Sequence, residues 1–128
     1  MKKLITILTV ASATLAFADG PDFEKEIAPI LKASCVKCHN ATKAKGKLNL
    51  ETKEGAMKGG KDGNTIVAGK PAESKMIKSI ELPVDDEDAM PPKDKAPRPT
   101  ADQVALLKKW IEAGANWPDG VTVKPEAK

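Results

Sequence analysis

The pentapeptide Cys35-Val36-Lys37-Cys38-His39 constrains this chain more than any other feature. The spacing C-x-x-C-H is the attachment signature of a c-type haem. Two thiols separated by two residues reach the two vinyl groups of one porphyrin as thioethers. A histidine directly after the second thiol then reaches the iron as proximal ligand. Cys35 and Cys38 are the only cysteines of the 128 residues, and His39 is the only histidine. No thiol remains for a further disulfide, and no second imidazole for another metal site. A zinc site needs about four ligands, usually in two pairs, and could be closed here only by carboxylates or water. A thioredoxin-like dithiol needs a βαβ context that the flanking sequence does not offer. A plain Cys35–Cys38 disulfide leaves the adjacent histidine unexplained. The expected cofactor is one covalent haem c per chain, with Cys35 and Cys38 as thioether sites and His39 as proximal iron ligand.

The N-terminus agrees with that chemistry. Met1-Lys2-Lys3 is a positive n-region, an apolar stretch runs from Leu4 to Phe17, and Ala16-Phe17-Ala18 has the form of an A-x-A cleavage site. The stretch falls short of the roughly 20 residues of a comfortable membrane span. Residues 1–18 are therefore predicted to be a secretory signal peptide, and residues 19–128 a single mature domain that is soluble after cleavage. The predicted location is the periplasm, because haem is joined to such motifs on the outer side of the bacterial inner membrane.

Cleavage after Ala18 leaves 110 residues, for which a purely polypeptide core is marginal. The chain has two Phe, two Trp and no Tyr, so few large apolar anchors are available. A haem at the centre supplies the missing apolar mass. Loss of Lys2 and Lys3 lowers the formal net charge from +3 to +1, and two haem propionates bring it near zero or below. The basic balance is thus mostly a leader effect, and it points to no nucleic-acid partner.

The mature sequence reads as short helices between loops rich in Gly and Pro. From Asp22, a plausible N-cap, Phe23, Ile27, Ile30, Leu31 and Ser34 recur on one helical face leading into Cys35. Pro29 either kinks this helix or marks its true start. A weak helix is expected over 51–58, ended by Gly59-Gly60. Pro71 is expected to open a helix running to about Ile80. The last helix is the clearest: Thr100 with Gln103 forms a capping box, and Gly114 is a natural stop. Val104, Leu106, Leu107, Trp110, Ile111 and Ala113 fall on one arc of it, and the helix ahead of Cys35 is the expected partner. Nothing suggests a strand longer than Thr65 to Ala68. The predicted class is all-α, a small cytochrome c-like fold around one haem.

With the sole histidine used, methionine is the default second axial ligand. Met57 lies in a stretch rich in Gly and Lys and reads as a surface or gap-filling residue. Met76 sits at helical spacing with Ile80 and fits a core position. Met90 lies between Asp85-Asp86-Glu87-Asp88 and Pro91-Pro92, in a loop too irregular for helix amphipathicity to bury it. Two prolines stiffen the backbone beside it. Met90 is the expected distal ligand, with Met76 and an open or water-bound site as the alternatives.

The order of these segments resembles a known family. Ile27-Ala28-Pro29-Ile30-Leu31, the C-x-x-C-H motif, Gly46-Lys47-Leu48-Asn49-Leu50, Val67-Ala68-Gly69-Lys70-Pro71, Ser74, Met90-Pro91-Pro92 and Trp110-Ile111-Glu112-Ala113-Gly114-Ala115 are similar to the planctomycete-type cytochrome c domain. That is a branch of the small, single-haem, class I-like cytochromes, and the likeness runs from about Phe23 to Trp117. It implies crossing N- and C-terminal helices, His39 as proximal ligand and the methionine of M-P-P, Met90, as distal ligand. It also implies that Trp110 packs near the haem, with plain core packing an equally good account of that residue. Lys47 stands where the family often has glycine, which bears on loop shape and not on any ligand.

The expected function is electron transfer with transient redox partner proteins, the iron cycling between ferric and ferrous states. No nucleophile–base–oxyanion arrangement is visible and the histidine is committed, so no enzymatic activity is expected. Lys32, Lys37, Lys43, Lys45 and Lys47 favour an acidic partner, while the acidic run at Asp85 to Asp88 favours the opposite sign. Two other classes remain at this level. One is a haem-based sensor or gas-binding module, and the other is a haem subunit of a larger exported complex.

Overall fold

A computed structural model describes residues 20–61 and 63–125. The predicted signal peptide, residues 1–18, lies outside the described residues. The order of elements is a π-helical turn at Phe23–Ile27, α1 at Ala28–Ser34, a 3₁₀ turn at Lys45–Lys47, α2 at Lys53–Lys58, a 3₁₀ turn at Pro71–Glu73, α3 at Lys75–Glu81 and α4 at Ala101–Glu112. Among the described residues there is no strand; residues 65–68 form a loop, and the one ladder contact is an isolated bridge between His39 and Ala44. The class is all-α. No helix among the described residues is long and apolar enough to cross a membrane.

Of the two readings of Pro29, the structure shows the helix start. The Asp22 carboxylate accepts the Lys25 amide at 2.9 Å, and the Glu26 carboxylate accepts the Asp22 amide at 2.7 Å, so the entry is capped from both sides. The first turn then winds as a π-helix. Pro29, which has no N–H to leave unpaired, falls in the first turn of α1.

α4 forms as its sequence dictates. The Thr100 hydroxyl accepts the Gln103 amide at 3.2 Å, and the Gln103 side chain accepts the Thr100 amide at 2.9 Å. Gly114, at φ 111°, ends it in a conformation that disfavours side chains. The buried face is Leu107, Trp110 and Ile111. It packs on the π-helical turn, where the Phe23 ring lies 5.7 Å from that of Trp110 and 4.3 Å from that of Trp117. The pairing of the first and last helical segments is therefore present, made by the turn at Phe23–Ile27. Trp110 and Trp117 are each 1% exposed, and their indole N–H groups donate to the carbonyls of Asn116 and Val121, both at 2.8 Å. Large apolar bodies are buried here with every polar atom satisfied.

The expected helix from Pro71 to Ile80 is broken in two at Ser74. Its backbone is extended, with φ −78° and ψ 120°, and its side chain is fully buried. The hydroxyl accepts the Val67 amide at 2.9 Å and donates to the Lys70 carbonyl at 3.0 Å. It is thus unavailable to cap α3. The first α3 amides are satisfied instead by the incoming chain: Lys75 donates to the Asn64 carbonyl at 2.9 Å and Met76 to that of Thr65 at 3.0 Å. α2 starts two residues later than expected, with the Thr52 hydroxyl accepting the Gly55 amide, and ends at Gly59. The next residue, Gly60, packs so closely on the chain at 46 that an added Cβ would sit 2.5 Å from the Gly46 carbonyl oxygen.

Ser74→Ala leaves the part-buried Val67 N–H unpaired and is expected to lower stability by about 1–3 kcal/mol. Denaturant unfolding checks this; an unchanged midpoint would count against the role assigned to the hydroxyl.

Candidate cofactor site

The C-x-x-C-H turn grows directly from the end of α1. The Leu31 carbonyl accepts the amides of both Cys35 (2.9 Å) and Val36 (2.8 Å), which closes the helix as its axis stops. Val36 is fully buried and anchors the turn, while Cys35, Cys38 and His39 are half-buried. The amides of Cys38 and His39 both return to the Cys35 carbonyl at 3.2 Å. The chain is coiled so that the three functional side chains share one side.

Asn40 locks this turn, and sequence reasoning missed it. It is buried; its Nδ2 donates to the Val36 carbonyl at 2.8 Å, and its Oδ1 accepts the amides of Thr42 (3.0 Å) and Lys43 (2.8 Å). The available signal is an Asx residue at the start of a polar loop, a type that bonds to nearby backbone.

The geometry of His39 is that of a ligand held in advance. Its Nδ1 lies 2.9 Å from the Lys45 carbonyl oxygen. A carbonyl only accepts, so the proton sits on Nδ1 and the lone pair on Nε2. Burial lowers the imidazole pKa below its ordinary value, outweighing the backbone groups of Lys45 and Leu48 that raise it. A neutral ring with a bare Nε2 is the form a metal takes. The backbone frames the same residue: Leu50 donates to the His39 carbonyl at 2.8 Å, and Lys45 to that of Cys38 at 3.1 Å.

Cys35, Cys38 and His39 line one cavity of about 800 Å³. That volume is within the range of cofactor pockets. Its apolar wall includes Leu48, Leu50, Met76 and Ile80, and three of these (Leu50, Met76 and Ile80) are members of the hydrophobic core. The cysteines are free thiols. Burial, with the neighbouring Cys38 adding to it, pushes the Cys35 thiol up to about 12. A redox dithiol needs the opposite shift. Among the described residues no group of three or more His, Cys, Asp and Glu side chains is placed to hold a metal ion, so carboxylates do not close a zinc site. Two thiols, one imidazole with a free Nε2 and an apolar wall in one pocket fit a haem joined by thioethers.

The methionines separate into two groups. Met57 is 37% exposed and does not line the cavity. Met76 and Met90 both line it. Met76 is 7% exposed and belongs to α3, whereas Met90 is half-buried between Ala89 and Pro91, which are both buried. The Met90 amide donates to the Ser79 carbonyl at 3.0 Å, which fixes the backbone of the M-P-P loop on α3. Trp110 is placed elsewhere. It packs in the trio with Phe23 and Trp117 and is not among the residues lining this cavity, so core packing accounts for it. Of the lysines singled out from sequence only Lys45 lines the cavity; Lys61, Lys75 and Lys78 join it there, with Glu73 and Asp88.

Residues 35–94 match the family model described as Planctomycete cytochrome C. No curated protein matches the chain. Among solved structures, the Kuenenia stuttgartiensis hydrazine synthase is similar at 20% sequence identity and a TM-score of 0.46, over 78% of this chain and 17% of that one.

Asn40→Ala removes the side-chain bonds to Val36, Thr42 and Lys43 and is expected to cost about 1–3 kcal/mol. Thermal unfolding reads the loss, and faster amide exchange at Thr42 and Lys43 localises it; protected amides in the variant would contradict the assignment.

Proposed function

We propose that this chain, whose residues 35–94 match the planctomycete cytochrome C model, is an exported, monohaem electron carrier with His39 and Met90 as axial ligands. The observation that carries this reading is the meeting of both thiols, the imidazole and the M-P-P loop on one cavity. Haem c in such a site supplies an iron that takes one electron from a donor and gives it to an acceptor, passing between Fe(III) and Fe(II).

The chain's own residues have distinct tasks. Cys35 and Cys38 hold the porphyrin covalently, and with no further cysteine or histidine the count is one haem per chain. The Lys45 carbonyl keeps the proton of His39 on Nδ1 and so aims Nε2 at the metal. The Met90 thioether favours the ferrous state and raises the potential relative to a second imidazole. Leu48, Leu50 and Ile80 exclude water from the pocket, so little solvent reorganises when the charge changes. Lys45, Lys61, Lys75 and Lys78 are exposed at the cavity beside Glu73 and Asp88. The two haem carboxylates bring this mouth close to neutral, which suits transient docking through a small interface with redox proteins. His39 has no second task, and no independent catalysis is proposed. Residues 1–18 act as the export signal, residues 19–128 form the mature domain, and the site of action is the periplasm.

Met76 lines the same cavity and is the competing distal ligand. The test is made on protein exported beside a haem-attachment system. Its mass is expected to equal the polypeptide from Asp19 plus one haem. Met90→Ala is expected to abolish the methionine-to-iron charge-transfer absorption and lower the potential by on the order of 100 mV, a fraction of the roughly 0.8 V that axial ligands command. Met76→Ala and Met57→Ala are expected to keep the band. Loss of the band in Met76→Ala alone would transfer the ligand role to that residue.

A further inference from the structure

The chain carries 21 Lys and Arg residues, and only one of them, Arg98, is arginine. The lysines sit mostly at the surface, but Arg98 is turned inward. Its Nη2 donates to the carbonyls of Ile80 at 2.9 Å and Leu82 at 2.8 Å. These belong to the C-terminal end of α3, where carbonyls lack helical partners and the dipole is negative. Its Nη1 is buried and has no hydrogen-bond partner among the described residues. Placing a permanently charged group there is costly, so the position needs a reason beyond solubility. A planar fork reaches two carbonyls at once, which an ammonium cannot do with the same geometry.

The place of the clamp supplies the reason. Residues 83–97 leave the end of α3, carry Met90 and return at Arg98, as a compact loop whose two ends lie close together. Its internal bonds are backbone turns, in which Asp86 donates to the Pro83 carbonyl, Ala89 to that of Asp86 and Lys95 to that of Pro92, and one exposed ion pair between Lys93 and Asp85 at 3.2 Å. They do not fix the loop on the body. Four consecutive exposed acids, Asp85 to Asp88, crowd like charge within it, and among the described residues only Asp85 has a cationic partner, Lys93. Besides the Met90–Ser79 backbone bond, it is fastened by Ser34, whose hydroxyl donates to the Pro97 carbonyl at 2.6 Å, and by the exposed Lys37 ammonium on the Lys95 carbonyl at 3.3 Å. The charged bonds shielded in part from solvent are those of Arg98, and they join the two ends of the loop directly.

We infer that Arg98 is the positioning residue of the distal-ligand loop, its guanidinium joining the end of α3 to the loop's return so that Met90 stays seated in the cavity. This inference rests on the Met90 ligand reading above. An outside ligand must displace Met90, so its apparent affinity measures the fraction of molecules with the loop open.

The experiment titrates imidazole into the ferric, haem-loaded full chain while following the charge-transfer absorption. Arg98→Gln is expected to weaken that band and to tighten apparent imidazole binding about tenfold or more, since charged hydrogen bonds are lost. Arg98→Lys keeps the charge without the fork and is expected to fall between; it carries the test if Arg98→Gln does not accumulate. Lys109→Gln, which removes an exposed charge of α4 outside the loop and its fastenings, is expected to bind imidazole as the parent does. A lower unfolding midpoint in the Arg98 variants with band and imidazole affinity unchanged would make Arg98 merely structural and overturn the inference. Met90→Ala in the same titration separates the two readings. If the band survives there, the ligand assignment falls and the clamp's role falls with it; if it is lost there while Arg98→Gln binds imidazole like the parent, the clamp alone is rejected.

Discussion

The hydrogen bond from His39 Nδ1 to the Lys45 carbonyl is the interaction on which the site depends. It fixes which nitrogen carries the proton, which way the ring faces and which lone pair is free. Keeping that carbonyl in place requires the loop after the motif to fold back, and several bonds serve that end. Asn40 ties the loop's start to Val36, the Lys45 amide returns to Cys38, and Leu50 closes on the His39 carbonyl. The lysine-rich segment that looks like solvent-exposed filler is in this sense the support of the imidazole.

The hydrophobic core is continuous with the cavity. Phe23, Trp110 and Trp117 fill one part, beside the first and last helical segments. Leu50, Met76 and Ile80 belong to the same cluster and face the pocket as well. A chain with so few aromatic residues gathers three of its four into the trio and leaves aliphatic side chains and sulfur to meet the porphyrin. Burial of each such side chain contributes about 1.5–3 kcal/mol, so the cofactor wall and the stability of the fold draw on the same residues.

The legible features were those whose meaning is carried by residue identity or short-range pattern. The haem motif needs only its five letters. α4 is readable because its cap, its apolar arc and its stop all lie within fifteen residues. What escaped depends on partners far along the chain or on one atom's choice among partners. The break at Ser74 follows from a hydroxyl that bonds to Val67 and Lys70 rather than capping its own helix. Pro29 left two outcomes open because a π-helical turn before a new helix start leaves no trace in apolar periodicity. Helical spacing puts Met76 in a helix and in the core, where it lies, but gives no sign that this core face also borders the cavity. Arg98 is silent in sequence because its partners, Ile80 and Leu82, lie on the other side of the loop it closes.

Among the described residues the core already includes Phe23, which is only 4% exposed and lies against both indoles. Four residues separate it from the proposed processing point after Ala18, and a fully extended tetrapeptide reaches no more than about 14 Å. A leader left uncut would therefore act as a very short tether, pressing the face around Phe23 and α4 against the lipid headgroups. Freedom to diffuse between a donor and an acceptor would begin only with the peptidase's cut.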